Sequence, residues 1–205
     1  MKVKICGLRR AVDADAALAL GATHLGVVLA QDSPRRATVR EARAIVRLAR
    51  GVATVALVFR GEHDEAIRTA CDRVGCPRVQ VHGANGVRCQ KLQSLGLRPV
   101  PVAVVARTAS SLPDFDEPPS ARNPALLDGG KGGAGRAFVW SLLRGGAPHA
   151  VFVAGGIAPF NVRELLHYQP WGIDVSSGIE LEPGVKDPVL MSQLFHAVRS
   201  SGVSQ

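Results

Sequence analysis

The first residues with reactive chemistry lie at the start of the chain, in Lys4-Ile5-Cys6-Gly7. Residues 2–6 alternate basic and apolar side chains, the period of a half-buried strand, and that strand ends on a thiol followed by a glycine. A cysteine where the chain leaves a sheet is placed to act as base or nucleophile once ionised. Free cysteine is also among the most buried residue types, so Cys6 alone reads first as packing. Other polar residues fall in similar places. Apolar runs lead into Asp32-Ser33-Pro34-Arg35, Gln80-Val81-His82-Gly83, Leu126-Leu127-Asp128-Gly129, Ala154-Gly155-Gly156 and Asp174-Val175-Ser176-Ser177-Gly178-Ile179-Glu180. Three glycine-rich turns lie in the later half: Gly132-Gly133-Ala134-Gly135, Gly155-Gly156 and Ser176-Ser177-Gly178. Such turns expose backbone N–H groups that can hold a phosphate. Singly each reads as an ordinary tight turn; together they point to a phosphate site.

Composition bounds the class. The 205 residues are 46% hydrophobic and 20% charged, ordinary for a soluble globular protein with one sizeable core. No apolar run approaches the roughly 20 residues of a membrane-spanning helix. The charged N-terminal strand does not read as a signal peptide, so a cytoplasmic protein with no membrane partner is expected. A net charge of +8 raises nucleic acid as a partner. The arginines are scattered, however, and 4% aromatic residues make no stacking platform. A small anionic substrate, steered in by the positive field, is the expected partner instead. Cys6, Cys71, Cys76 and Cys89 form no C-x-x-C pair and have no histidine at zinc-ligand spacing, so thiols and no metal are expected. Cys71 and Cys89 read as packing on helices.

Bringing these residues together requires a repeating scaffold. Periodicity predicts strands over 2–6, 24–29, 52–59, 79–82, 100–105, 125–128, 150–154 and 171–175. Helices are predicted between them: 13–20 closed by Gly21, 65–74, 87–95 stopped by Gly96, and 138–143. Thr38-Val39-Arg40-Glu41 is a capping box, opening a helix with Ala42, Ile45, Val46 and Ala49 on one face. Pro159 is expected at a helix N1 position, and Asp187-Pro188 caps the last helix. Residues 106–124, with four prolines, predict an irregular excursion in place of a complete fifth helix. Eight strand–helix units argue for one α/β domain over 1–205, a (β/α)8 TIM barrel with a degenerate fifth helix. A doubly wound open sheet is the alternative, but no G-x-G-x-x-G follows the first strand. In a barrel the strand ends meet across the top, where phosphate is often bound after strands seven and eight.

The ordered set of these motifs, together with Ser33-Pro34-Arg35, Asn161-Val162 and Pro183-Gly184-Val185-Lys186-Asp187, resembles phosphoribosylanthranilate isomerase of tryptophan biosynthesis along the whole chain. The resemblance implies a cofactor-free barrel performing an Amadori rearrangement of an N-glycosylated ribose phosphate. It implies Asp128 as the acid that opens the ribose ring and Cys6, as thiolate, as the base that removes the C2′ proton. It also implies Arg35 on the anthranilate carboxylate, and His82 and Asp174 lining the sugar and aromatic pocket. Gly132, Gly133, Gly135, Gly155, Gly156, Ser176 and Ser177 would hold the phosphate. Glu180 and Asp187 read as structural, a loop hydrogen bond and a helix cap. A monomer is expected, with a dimer as the alternative. Four positions depart from the family pattern: Arg60 for Asn, Ala134 for Ser or Thr, Val139 for Asp, and Ala158 for a capping residue, the last costing roughly 1 kcal/mol. The rivals are the histidine-pathway isomerase type, which carries aspartate where this chain has Cys6, a non-catalytic barrel that binds a phosphorylated ligand, and a nucleic-acid-binding protein.

Overall fold

The computed structural model describes residues 1–130 and 137–201. Gly132, Gly133, Ala134 and Gly135 lie outside the described residues. Strands β1 (Lys2–Ile5), β2 (His24–Val28), β3 (Thr54–Arg60), β4 (Arg78–His82), β6 (Ala125–Asp128), β7 (Val151–Ala154) and β8 (Gly172–Val175) pair in parallel with their neighbours. β1 lies between β2 and β8, and the sheet closes through β5.

β5 is split into Arg98–Val100 and Val102–Val104. The first piece pairs with β4 and the second with β6, so the strand changes partner at Pro101. Proline has no N–H to give a ladder and is tolerated where pairing breaks. Its carbonyl still accepts from Leu126 N at 2.8 Å. The eight-stranded parallel barrel expected from the sequence therefore forms, with a seam in its fifth strand.

The helices are α1 (Ala11–Ala19), α2 (Val39–Leu48), α3 (Asp64–Val74), α4 (Gly86–Ser94), α5 (Val162–Leu166) and α6 (Pro188–Ser200), with a 3₁₀ turn over Trp140–Leu143. No helix forms between β5 and β6, as the prolines there imply. The Thr38 capping box is complete, and Asp187 Oδ1 accepts from Val189 N at 2.7 Å. Pro159 is a correction. Regular helix begins only at Val162, because residues 159–161 form a turn held by the Asn161 side chain. Asn161 Oδ1 accepts from Ala158 N and its Nδ2 donates to Gly156 O, both at 2.8 Å. The N–H of Ala158 is thus satisfied from downstream, without a capping side chain of its own.

Outward-facing strand residues such as Ile5, Val27, Leu57, Val81, Leu127 and Ile173 pack with Ile45, Ile67, Leu92 and Leu194 of the helices in one apolar layer. The barrel interior is more polar. Lys4, Gln80 and Asp174 are each under 8% exposed there, which requires that they satisfy one another.

Two inward histidines tie stability to pH. Burial pushes both His24 and His82 down to about 4. Histidines of the unfolded chain protonate near 6.5. The stability gained by keeping these rings neutral is therefore present above pH 6.5 and lost as pH falls through about 4. Between those limits each ring lowers the unfolding free energy by up to about 1.4 kcal/mol per pH unit. Thermal melts from pH 7 to 4 should show this decline, and His24→Leu should weaken it. A melting temperature flat from pH 7 to 4.5 would contradict it.

Candidate active site

The carboxyl ends of the strands open into a cavity of about 350 Å³. Its lining includes Cys6, Arg35, Arg60, His82, Asp128, Asp174, Gly155, Gly156, Ser176 and Ser177. The fold thus gathers every described site residue singled out in the sequence into one space.

Cys6 follows β1 directly, its N–H donating to Val175 O at 2.8 Å. Its side chain is accommodated by β2: a Cβ on Gly26 would lie 2.5 Å from Cys6 Sγ. Sequence reading missed Gly26, although a glycine inside an apolar strand often marks a close approach. Burial pushes the Cys6 thiol above its ordinary value, while Lys4, Lys186 and the Gly7 N–H pull the other way. Burial thus favours the thiol form of Cys6, while Lys4 and Lys186 lie where they favour a thiolate.

Beneath Cys6 a polar chain crosses the barrel. Lys4 Nζ donates to Asp174 Oδ2 at 2.7 Å and to Gln80 Oε1 at 2.6 Å. Gln80 Nε2 lies 3.0 Å from His82 Nε2, and His82 Nδ1 lies 3.9 Å from Asp128 Oδ2. Burial disfavours the Lys4 ammonium, but Asp174, Cys6 and Asp128 outweigh it and raise its pKa. Asp128 ends β6, three strands round the barrel from Cys6, and its Oδ1 accepts from Gly130 N at 3.2 Å.

Arg35 is held differently from expectation. Its Nε and Nη2 donate to Glu180 at 2.8–3.0 Å. Lys186 Nζ, fully buried, also donates to Glu180 Oε1 at 2.8 Å. Burial disfavours the Glu180 carboxylate, but Arg35 and Lys186 outweigh it and hold its pKa below the usual carboxylate range. Glu180 does accept the expected loop hydrogen bond, from Gly184 N at 3.2 Å. It is also the anchor of a buried ion cluster, which was not foreseen. The cluster fixes the loop after β2 against the hairpin of Glu180–Glu182 and Val185–Lys186.

The phosphate candidates converge as far as they are described. Gly155 and Gly156 follow β7, and Ser176 and Ser177 follow β8. Gly178 packs so closely against the Ile157 carbonyl that any Cβ there would collide with it. Among the departures, Arg60 lines the cavity with Nη1 3.5 Å from Asp32 Oδ2, and Val139 starts the 3₁₀ turn without a side-chain cap.

A cavity lined by a thiol, carboxyls, guanidiniums, a glycine loop and a serine loop is the arrangement to compare with known proteins. Residues 3–197 match the family described as N-(5'phosphoribosyl)anthranilate (PRA) isomerase. The chain belongs to the PRA isomerase family. Family relatives include the N-(5'-phosphoribosyl)anthranilate isomerase of Leptothrix cholodnii, 34% identical over 98% of this chain and 91% of that protein. The PRA isomerase structure from Thermus thermophilus is 33% identical, with a TM-score of 0.78 covering 98% of this chain and 99% of that one. A second PRA isomerase, solved with reduced 1-(o-carboxyphenylamino)-1-deoxyribulose 5-phosphate, is 26% identical with a TM-score of 0.75, covering 98% and 99%.

Proposed function

We propose that this chain converts N-(5'-phosphoribosyl)anthranilate to its 1-deoxyribulose 5-phosphate isomer by acid–base catalysis without a cofactor. The observation that carries this reading is the convergence of Cys6 and Asp128, far apart in the sequence, on one cavity of about 350 Å³ that Arg35, Gly155, Gly156, Ser176 and Ser177 also line. Asp128 donates its proton to the ribose ring oxygen, and the C1′–oxygen bond breaks to give an iminium. Cys6 as thiolate takes the C2′ proton, leaving an enolamine that tautomerises to the ketone. Purified protein mixed with phosphoribosylanthranilate should abolish the substrate's fluorescence as it turns over. Decay no faster than in buffer would overturn the proposal.

Arg35 is assigned to the carboxylate of the aromatic ring. Glu180 already engages its Nε–H and one Nη2–H, so the guanidinium is oriented in advance, and its remaining N–H groups are assigned to that carboxylate. Such binding acts alike on ground and transition states. Arg35→Ala should therefore raise KM with kcat nearly unchanged; a fall in kcat alone would remove the clamp role.

Gly155, Gly156, Ser176 and Ser177, with Gly132, Gly133 and Gly135, are assigned to the phosphate. Only the folded barrel assembles loops so far apart, so a phosphorylated product analogue should bind the native state alone. At a hundredfold excess over Kd, linkage supplies about 2.7 kcal/mol. Each kcal/mol is worth roughly 2–4 °C at this chain length, giving a rise of about 5–10 °C. The analogue lacking phosphate should give much less. Equal shifts would mean these glycines are ordinary turn residues.

A further inference from the structure

Lys4 sits below the cavity, 4% exposed, yet its position fixes a proton at the cavity wall. An ammonium has donors only, so the Gln80 atom 2.6 Å from Lys4 Nζ must be the amide oxygen. The other end of that amide, its NH2, then faces His82 Nε2 at 3.0 Å and must donate. His82 Nε2 is therefore the accepting nitrogen. The ring, kept neutral by burial at neutral pH, carries its proton on Nδ1. That Nδ1 is buried without a hydrogen-bond partner and lies 3.9 Å from Asp128 Oδ2, too far for a hydrogen bond.

We propose that Lys4 and Gln80 are positioning residues that hold His82 as its Nδ1–H tautomer, so that this N–H closes onto the Asp128 carboxylate as Asp128 gives up its proton. No proton travels along the relay. Its effect is to stabilise the conjugate base of the acid, which strengthens the acid where the ring oxygen needs it. Asp174 completes the chain by holding Lys4 charged through the 2.7 Å ion pair. The inference rests on Asp128 being the acid, as proposed above.

Histidine tautomers are distinguished by ¹⁵N NMR, so the full-length protein with ¹⁵N-labelled histidine tests the relay without any substitution in it. His82, assigned by loss of its signals in His82→Asn, should show a protonated Nδ1 and an unprotonated Nε2 at pH 7. A protonated Nε2 in the wild-type protein would overturn the proposal. Gln80→Glu keeps the acceptor for Lys4 but replaces the donor facing His82 with a second acceptor, which draws a proton onto Nε2. The tautomer signature should switch and kcat should fall about 10–100-fold, as when the outer partner orienting a histidine is lost, with KM little changed. A switched tautomer with unchanged kcat would also overturn it. The Asp128 assignment fails separately: an active Asp128→Asn enzyme whose His82 still carries the Nδ1 proton would remove the acid role while leaving the tautomer as deduced.

Discussion

Cys6→Ala should fold normally and lose about 10²–10⁴-fold in kcat, the usual magnitude for removing a positioned general base. The substitution leaves the backbone bond from Cys6 N to Val175 O in place and vacates only the space beside Gly26, Val28 and Val58. A small truncation in a pocket wall, open to solvent on one side, does not threaten an apolar layer that lies on the other face of the strands. Cys6→Ser should be almost as impaired. A hydroxyl has nearly the size of the thiol but is far harder to ionise than a thiol of ordinary pKa near 8.5. Steady-state turnover, with circular dichroism to establish folding, checks both variants. Activity of Cys6→Ala within a factor of two of wild type would remove Cys6 as the base.

Asp128→Asn should be equally inactive for the opposite reason. The amide keeps the shape of the side chain and an oxygen to accept from Gly130 N, so the loop after β6 stays in place. What it lacks is a proton to deliver to the ribose ring oxygen, and without ring opening the C2′ proton is never acidified. The expected loss is again about 10²–10⁴-fold in kcat, with substrate binding retained. The two variants also differ in kind. Asp128→Asn stalls before the iminium, whereas Cys6→Ala stalls after it, so only the latter should accumulate a ring-opened species in a stopped-flow trace.

Much of this site was legible because its residues sit at strand ends, and strands announce themselves by period. Cys6, His82, Asp128 and Asp174 each close an apolar or alternating run, and the barrel places all such ends on one face. The capping box at Thr38 and the cap at Asp187 were equally legible, since each motif lies within one turn of chain. What escaped notice was non-local. Lys4 finds Gln80 and Asp174 only when the barrel closes, across separations of 76 and 170 residues. Nothing near Lys4 marks it as buried except that it shares the inward face of β1 with Cys6. The Arg35–Glu180 pair spans 145 residues, so an arginine expected to await substrate turned out to be oriented by a buried carboxylate. Pro101 and Pro159 show a second limit. Sequence marks where pairing or helix must be interrupted, but the actual arrangement depends on neighbours, β6 in one case and the Asn161 side chain in the other.

The central claim is that a buried cysteine thiolate performs the proton abstraction, and the pH dependence of kcat/KM for the wild-type enzyme relative to Cys6→Ala tests it most directly. Each kcat/KM reports the ionisation of the free enzyme, and dividing one by the other cancels the requirement for a protonated Asp128 that the two enzymes share. The active form of Cys6 in this account is the deprotonated one, and burial raises its pKa above the ordinary thiol value despite the pull of Lys4 and Lys186. At neutral pH the thiolate is therefore the minor form, and each unit of added pH should multiply it about tenfold. With phosphoribosylanthranilate as substrate, the wild-type kcat/KM divided by that of Cys6→Ala should climb with near-unit slope from pH 6 to 8. A quotient that stays constant between pH 6 and 8 would contradict the assignment of Cys6 as a base of raised pKa.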